Sequence, residues 1–296
     1  LEIPEEKIIR KSRLMPGKML LVDTKAKKLI SDEEIKSKYA GEHPYGEWLS
    51  QNLVQLSSVK IPNKKIPVSS QEERNRLYRA FGYNYEDVNE MILPMARTGV
   101  EPIGSMGVDI PLAAMSERHP SLFEYFKQLF AQVTNPPIDS LREKIVTDTT
   151  VYVGSDGDIL HCKGKNCRVL EIHNPILTGV DMMKIKSLNQ SGLKTKTLSL
   201  LLKIENGKLE VENTEKYRER PDSDTAPRIL ELALDSLFAQ IDKAYSEGYN
   251  IIVLSDRGVD ETHAAIPSLL AVSAVEQYLI RTKKRTKVSI ILESAE

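Results

Sequence analysis

The clearest periodic pattern lies in the C-terminal third of the chain. Apolar residues at helical spacing follow Pro227, which suits a first helical turn, and Gly248 stands where the helix would end. Short apolar runs at 251–254 and 288–292 predict buried strands, and a second helix is predicted between them from about residue 263 to 281. Because helices alternate with strands here, we expect parallel strands joined by right-handed crossovers.

Hairpins are predicted in the middle of the chain. The runs 151–153 and 159–160 flank a glycine-containing stretch that suits a tight turn. Residues 197–204 have the pattern of one buried strand, with a turn at 206–207 and a second short strand after it. The polar stretch 212–226 is typical of an exposed loop.

Helix signals dominate the N-terminal third. Ser31 precedes three acidic residues, and Ser70 with Glu73 fits a capping box. Asn84 starts a third helical pattern, in which Pro94 predicts a kink or an early stop.

An unusual polar corner follows a fourth predicted helix, whose apolar stripe begins near residue 120. The helix ends at 135–137 (NPP), and another helix is predicted from Ser140. Two consecutive prolines make a stiff bend, so Thr134 and Asn135 would be held in one geometry at little entropic cost. The alternative is a purely structural corner.

These elements predict an α/β fold. We expect an incomplete barrel-like or open, mostly parallel sheet with flanking helices. Residues 1–150 are predicted to be mostly helical, and residues 151–296 to be an α/β part with parallel strands. The pattern shows only about four clear strands, fewer than a complete barrel of βα units requires.

Composition narrows the function classes. Lys and Arg total 41 against 42 for Asp and Glu, so the net charge of −1 argues against binding to nucleic acid or to a membrane surface. No apolar run approaches the roughly 20 residues of a membrane helix, and the first residues do not resemble a signal peptide. Two cysteines do not make a disulfide framework, so we expect a cytoplasmic protein.

Polar residues follow two of the predicted parallel strands. Asp256 and Arg257 come after one strand, and Glu293 with Ser294 after the other, at the sheet edge where active sites of this fold class lie. Asp256 and Arg257 would there orient a phosphate or a carboxylate. In the alternative, which we favour, Asp256 caps the following turn and Arg257 pairs with a neighbouring acid, because position alone is weak support for an active site.

Two other stretches suggest chemistry only superficially. One segment contains several side chains that could bind a metal: His161, Cys162, Cys167 and His173. Their spacing is not a usual zinc pattern, and the basic residues beside them oppose the binding of a cation. Glycines between 99 and 107 lack the spacing of a phosphate-binding loop. No nucleophile–base pair is evident among the five histidines.

Several stretches together resemble the central region of the large chain of glutamate synthase. They occur in the order of that family and span nearly the whole chain: 16–24 (PGKMLLVDT), 80–83 (AFGY), 104–107 (GSMG), 129–139 (LFAQVTNPPID), 254–258 (LSDRG) and 265–272 (AIPSLLAV). The segment from about 162 to 220 matches more loosely.

The resemblance implies a role inside a larger enzyme. In that family an amidotransferase domain hydrolyses glutamine, and ammonia passes to an FMN-binding synthase barrel with an iron–sulfur cluster, where 2-oxoglutarate is converted reductively to glutamate. The central domain connects the two and helps to form the passage. The resemblance therefore implies that residues 1–296 are that domain, starting after the amidotransferase part and stopping before the domain's C-terminal end, with no cofactor of their own.

The same resemblance gives the candidate residues their roles. We expect Thr134 and Asn135 to face the ammonia passage or the flavin domain, and Asp256 and Arg257 to form a surface for another domain of the same enzyme. We expect no catalytic residue in this segment, and substitution of Asp256 to lower mainly stability. Two alternatives remain open: a standalone flavin-dependent barrel oxidoreductase, and a non-enzymatic interaction module.

Overall fold

A computed structural model describes residues 3–66, 68–102, 112–117, 120–126, 137–205, 208–210 and 225–296. The chain divides into two compact units, Leu1–Asn52 and Leu53–Glu296.

The first unit contains one hairpin and two helices. Its elements are β1 (Leu21–Asp23), β2 (Lys28–Ile30), α1 (Asp32–Ala40) and α2 (Tyr45–Asn52), with β1 and β2 antiparallel. Ser31 caps α1 as predicted: its hydroxyl accepts from the Glu34 N–H at 3.3 Å, and the Glu34 carboxylate accepts from the Ser31 N–H at 3.1 Å.

Asp32 ties the segment before the hairpin to α1. Its carboxylate accepts hydrogen bonds from the Lys36 ammonium at 2.9 Å, the Lys18 ammonium at 3.0 Å and the Met19 N–H at 3.1 Å. The hydrogen bonds from Lys36 and Lys18 lower the pKa of Asp32 to about 2.

The second unit carries the remaining helices and strands. Its helices are α3 (Gln71–Ala80), α4 (Leu93–Thr98), α5 (Glu143–Val146), α6 (Gly179–Lys186), α7 (Thr225–Ser246) and α8 (Ser268–Arg281). Its strands are β3 (Val54–Gln55), β4 (Val151–Gly154), β5 (Val169–Ile172), β6 (Asn189–Gln190), β7 (Leu193–Ser199), β8 (Leu201–Glu205), β9 (Lys208–Glu210), β10 (Ile251–Ser255), β11 (His263–Ala265) and β12 (Ser289–Glu293).

The described residues of this unit form three sheets. The main sheet has the order β12-β10-β7-β6, in which β10 runs parallel to both β12 and β7 and β6 is antiparallel to β7. The others have the orders β11-β8-β9, wholly antiparallel, and β3-β5-β4, in which only β3 and β5 are parallel. Within the described ranges the sheets are open and none closes into a barrel, which confirms the α/β class.

The core lies on both faces of β10, every residue of which is buried. Because side chains alternate along a strand, Ile252 and Leu254 pack into one apolar cluster while Ile251 and Val253 pack into another. The first cluster includes residues of α7 and α8, and the second includes residues of α6, β4 and β5. A strand buried on both faces is typical of a parallel sheet covered by crossover helices.

The predicted strand 197–204 is wrong, because the chain changes sheets at Leu200. The Leu200 N–H still donates to the Ser255 carbonyl at 2.8 Å, but the Leu200 carbonyl accepts from the Ile266 N–H at 2.9 Å. Two strands therefore form, β7 in the main sheet and β8 in the antiparallel sheet.

The predicted hairpin partner of β4 is also wrong. Residues 159–160 form no strand, and β4 pairs with β5 instead. Asn166 holds the intervening segment: its side-chain amide donates to the carbonyls of Asp156 at 2.7 Å and Asp158 at 3.0 Å. These bonds satisfy backbone groups that a strand would have paired.

Two helices start later in the chain than predicted, because other hydrogen bonds hold the residues before them. Residues 263–265, predicted to open a helix, pair with β8 as β11, and α8 begins only after Pro267. The helix predicted from Ser140 begins at Glu143, because the Asp139 carboxylate first caps the N–H groups of Leu141 and Arg142 at 3.0 and 2.9 Å.

Pro94 does not stop its helix. A π-helical turn, Asp87–Ile92, leads into α4, which places Pro94 in the first turn of an α-helix, where a missing N–H costs little. α4 ends at Gly99, whose φ of 68° is the left-handed conformation that suits glycine.

The polar corner lies outside the described residues. A 3₁₀ segment, Leu122–Phe126, stands where the fourth helix was predicted to start. Thr134 and Asn135 fall within 127–136 and are not described, so their role stays a prediction.

Candidate functional site

Polar side chains gather where β10 and β12 end. The parallel register sets Ser255 beside Glu293, so the residues that follow each strand meet at one edge of the sheet. We call this group the strand-end cluster; it consists of Lys186, Ser255, Asp256, Arg257, Glu293 and Ser294.

Glu293 is the centre of the strand-end cluster. One carboxylate oxygen accepts from the Ser255 hydroxyl at 2.5 Å and from the Lys186 ammonium at 2.7 Å. The other accepts from Nε of Arg257 at 3.2 Å. The Glu293 side chain is only 12 % exposed, so its charge is balanced by these three donors rather than by water.

Opposing effects set the pKa of Glu293. Burial raises it, but the hydrogen bonds from Lys186 and Ser255 and the charges of Lys186 and Arg257 outweigh burial and hold the pKa below its usual value. Glu293 is therefore a carboxylate at neutral pH, and it accepts three hydrogen bonds from the chain. It has no proton to give as a general acid.

Asp256 fastens the end of β12 to the end of β10. It is 5 % exposed, and its carboxylate accepts from the Ser294 hydroxyl at 2.6 Å and the Ala295 N–H at 3.1 Å. Its own N–H donates to the Glu293 carbonyl at 3.1 Å. The predicted capping of the turn after Asp256 is corrected: the carboxylate caps the segment that leaves the neighbouring strand.

Arg257 extends from the cluster into solvent. Its side chain is 67 % exposed, and its pairing with Glu293 agrees with the expected neighbouring acid. Only Nε is used: the terminal guanidinium nitrogens donate to no residue within the described ranges. These nitrogens form a planar group that can bind a carboxylate or phosphate from another molecule or domain.

A pocket of about 880 Å³ opens beside the cluster, between β12, β4 and α6. Ser289 closes one end by bridging β12 to β4: its hydroxyl accepts from the Gly154 N–H at 3.0 Å and donates to the Gly154 carbonyl at 2.8 Å. The pocket has an apolar wall and a basic rim; they include Val151, Ile172, Met182, Leu292, Lys186, Arg257 and Arg285. This arrangement can bind a surface that is apolar with acidic edges.

Only part of the site was predicted from the sequence. The prediction included Asp256, Arg257, Glu293 and Ser294, which the structure brings together. It missed Lys186, because a lysine in the last turn of a helix gives no local signal for a partner 107 residues away.

In the cysteine and histidine segment, as elsewhere among the residues that the structure describes, no group of three potential metal ligands converges. His161 Nδ1 lies 2.9 Å from the Asp158 carboxylate, and the exposed Cys162 thiol donates to the Ile159 carbonyl at 3.2 Å. The structure also has, in its described part, no helix with the length and apolar character of a membrane span.

Comparison with known proteins decides the family. The glutamate synthase central domain matches residues 76–296, about three quarters of the chain. The chain belongs to the glutamate synthase central domain family. This confirms the resemblance that the sequence motifs indicated.

The same comparison assigns the first residues of the chain to a different domain family. Residues 1–48 match the class-II glutamine amidotransferases, and the first compact unit, Leu1–Asn52, coincides closely with that match. The expectation that the chain starts after the amidotransferase part is therefore corrected.

Relatives of this central domain are long polypeptides. The chain is 42 % identical over 296 residues to the glutamate synthase [NADPH] large chain of Bacillus subtilis (strain 168), covering all of this chain and 18 % of the relative. It is 37 % identical over 298 residues to the chloroplastic ferredoxin-dependent glutamate synthase of Spinacia oleracea, and the match covers 100 % of this chain and 17 % of that relative. It is 33 % identical over 302 residues to the glutamate synthase [NADH] of Schizosaccharomyces pombe, and the match covers 99 % of this chain and 14 % of that relative. The chain thus spans less than a fifth of these relatives.

Proposed function

We propose that this chain is the connecting part of a glutamate synthase large chain. It would join the glutamine amidotransferase domain to the FMN-binding synthase domain and help to form the passage for ammonia. The observation that carries the proposal is the order of the two matches: an amidotransferase segment at residues 1–48 is followed in one chain by the central domain at 76–296.

In the whole protein, the reaction would divide between domains. The amidotransferase domain would hydrolyse glutamine to glutamate and ammonia, and the synthase domain would use that ammonia and two electrons to convert 2-oxoglutarate to a second glutamate. The electron donor differs among the relatives named above, which are described as NADPH, NADH and ferredoxin-dependent glutamate synthases.

The FMN and the iron–sulfur cluster of the whole enzyme would be held outside this chain. Such clusters are held by about four cysteine thiolates, and the chain has two cysteines. No converging group of metal ligands occurs among the residues described. We propose that the contribution of this chain is structural: it would position the two catalytic domains relative to each other. The two free thiols suit the reducing cytoplasm, where we place the protein.

The strand-end cluster suits a domain interface better than a catalytic site. Within the chain, the Glu293 carboxylate accepts three hydrogen bonds and the Asp256 carboxylate accepts two. Arg257 presents unused donors beside an open pocket with a basic rim. We therefore propose that Asp256 shapes the sheet edge and that Arg257 contacts another domain of the same enzyme.

The polar corner supplies the test of the ammonia passage. If the prolines at 136–137 hold Thr134 and Asn135 against the passage, then Thr134→Val in the whole polypeptide removes a polar group from it. We expect more glutamine to be hydrolysed per glutamate formed from 2-oxoglutarate. Both rates are measured in one reaction, by glutamine loss and by 2-oxoglutarate consumption.

Thr147→Val is the matched control, because Thr147 directly follows α5, is exposed, and among the described residues its hydroxyl donates to the Glu143 carbonyl alone. It should leave the two rates in their normal ratio. An unchanged ratio in Thr134→Val as well would contradict the placement of the corner at the passage.

A further inference from the structure

We infer that a second, basic pocket in this chain binds a small oxyanion of the phosphate or carboxylate type. The pocket has a volume of about 760 Å³ and is formed by the segment 155–168, the turn between β6 and β7, Asn250 and Lys287. We call it the basic pocket. It lies near the amino ends of β7, β10 and β12, whereas the strand-end cluster lies at their carboxyl ends, and the two pockets share no lining residue.

Charge is the first argument for an anion. The basic side chains that line this pocket, Lys163, Lys165, Arg168 and Lys287, form no ion pair with any residue in the described part of the chain. The single acidic residue in the lining is Asp158, which is already engaged by His161 at 2.9 Å. An anion entering the pocket therefore meets an uncompensated positive field.

Arg168 is the second argument. Its Nε is buried and has no hydrogen-bond partner among the described residues. Nε is closed off from solvent, but Arg168 lines the pocket, and the terminal nitrogens of its guanidinium group donate to no residue in the described part of the chain. A bound oxyanion would accept from these terminal nitrogens, and the guanidinium plane can offer parallel donors to it.

The turn beside Arg168 is built to admit this side chain. Gly192 has φ +80°, and a Cβ atom placed there would lie 2.7 Å from Cδ of Arg168. Any other residue would therefore strain the turn and displace the arginine stem. The close approach lets the guanidinium group lie along the pocket wall.

Neutral amides hold the walls of the pocket in place. Asn166 clamps one side through the carbonyls of Asp156 and Asp158. Asn250, 8 % exposed, clamps the other: it donates to the Gly192 carbonyl at 2.7 Å and accepts from the Lys194 N–H at 3.0 Å. Since these groups are fixed before a ligand arrives, binding would cost little ordering of the walls.

Inorganic phosphate is the probe for the test. We would titrate it into the whole polypeptide by isothermal calorimetry at low ionic strength, with succinate in a parallel titration to distinguish phosphate from carboxylate recognition. We expect one saturable site for at least one of the two anions. Loss of a charge-assisted hydrogen bond in Arg168→Gln should weaken that binding by about tenfold or more.

Two further variants sharpen the test. Lys165→Gln changes an exposed side chain of the pocket, so it should weaken binding without any risk to folding. Lys60→Gln, an exposed lysine outside the pocket, should bind as the parent does. The inference is overturned if neither anion saturates at millimolar concentration, or if Arg168→Gln and Lys165→Gln bind as tightly as Lys60→Gln. The titration contains no glutamine or 2-oxoglutarate, so its failure would leave the proposed function untouched.

Discussion

Glu293 offers the sharpest test of the physical account, because one largely buried carboxylate accepts from three donors in two parts of the chain, α6 and the end of β10. Glu293→Gln keeps the shape of the side chain and removes its charge. One oxygen of the amide can still accept a hydrogen bond, but the amide nitrogen must face donors in place of the second oxygen. Lys186 and Arg257 then lose their counter-charge.

The expected size of the effect follows from burial. Removing one partner of a fully buried ion pair costs about 3–5 kcal/mol. Here Glu293 is 12 % exposed, but Lys186 is 30 % and Arg257 is 67 % exposed. Water can therefore solvate part of the charge that the substitution leaves unpaired. We therefore expect Glu293→Gln to lower the free energy of unfolding by about 1.5–3 kcal/mol at neutral pH.

Urea denaturation followed by circular dichroism measures this difference. Glu205→Gln is the matched control, because Glu205 pairs with Lys203 at 3.4 Å and both side chains are 49 % exposed. An exposed pair of this kind contributes less than about 1 kcal/mol. The control should therefore stay close to the parent protein.

The pH dependence gives the sign of the effect. Since the folded protein holds the pKa of Glu293 below its usual value of 4.5, the carboxylate stabilises the fold above that pH. This contribution is lost as the pH falls below 4.5 and through the lower folded pKa. The gap between parent and Glu293→Gln should therefore close in acid. A gap that is absent at neutral pH, or that widens in acid, would refute the reasoning.

Two further substitutions test how β12 is held. Ser289→Ala should lower the free energy of unfolding by about 1–3 kcal/mol, because it removes the side-chain hydroxyl that bonds to both backbone groups of the buried Gly154. Urea denaturation checks it against Ser246→Ala, whose hydroxyl bonds only within its own helix, and equal stabilities would contradict the bridge. Asp256→Ala removes the acceptor for Ser294 and Ala295 and should cost about 2–4 kcal/mol in thermal or urea unfolding. A loss no larger than that of Asp235→Ala, at an exposed position of α7, would show that the cap contributes little.

Local signals explain which elements the sequence predicted correctly. Ser31 and Ser70 cap their helices through bonds to residues three positions ahead, and such bonds are encoded within one turn. The long helix α7 and the strands β10 and β12 follow from apolar periodicity that packing then confirms.

Long-range pairing explains the failures. Nothing near Leu200 shows that its carbonyl will bond to Ile266 rather than continue along β10. The same applies to residues 263–265, whose helical pattern yields to pairing with β8. Backbone groups take the partner that the fold supplies, and that partner lies outside any local window.

The candidate site, like the fold, could be predicted only in part. Its position at the ends of parallel strands follows from topology, which the α–β alternation predicts, so Asp256 and Arg257 could be located. The partner of Asp256 could not be predicted, since its carboxylate accepts from Ser294, which is 38 residues away in the sequence. The extent of the amidotransferase segment was missed because residues 1–48 show no catalytic motif that would separate them from the central domain.

Transfer of ammonia inside one polypeptide is the central claim, and isotope dilution tests it most directly. The whole polypeptide would be given glutamine labelled with ¹⁵N at the amide, 2-oxoglutarate, its electron donor and an excess of unlabelled ammonium. If this chain connects the two catalytic domains and helps to form a passage, the glutamate made from 2-oxoglutarate keeps the full ¹⁵N label. Label diluted in proportion to the added ammonium would contradict the account.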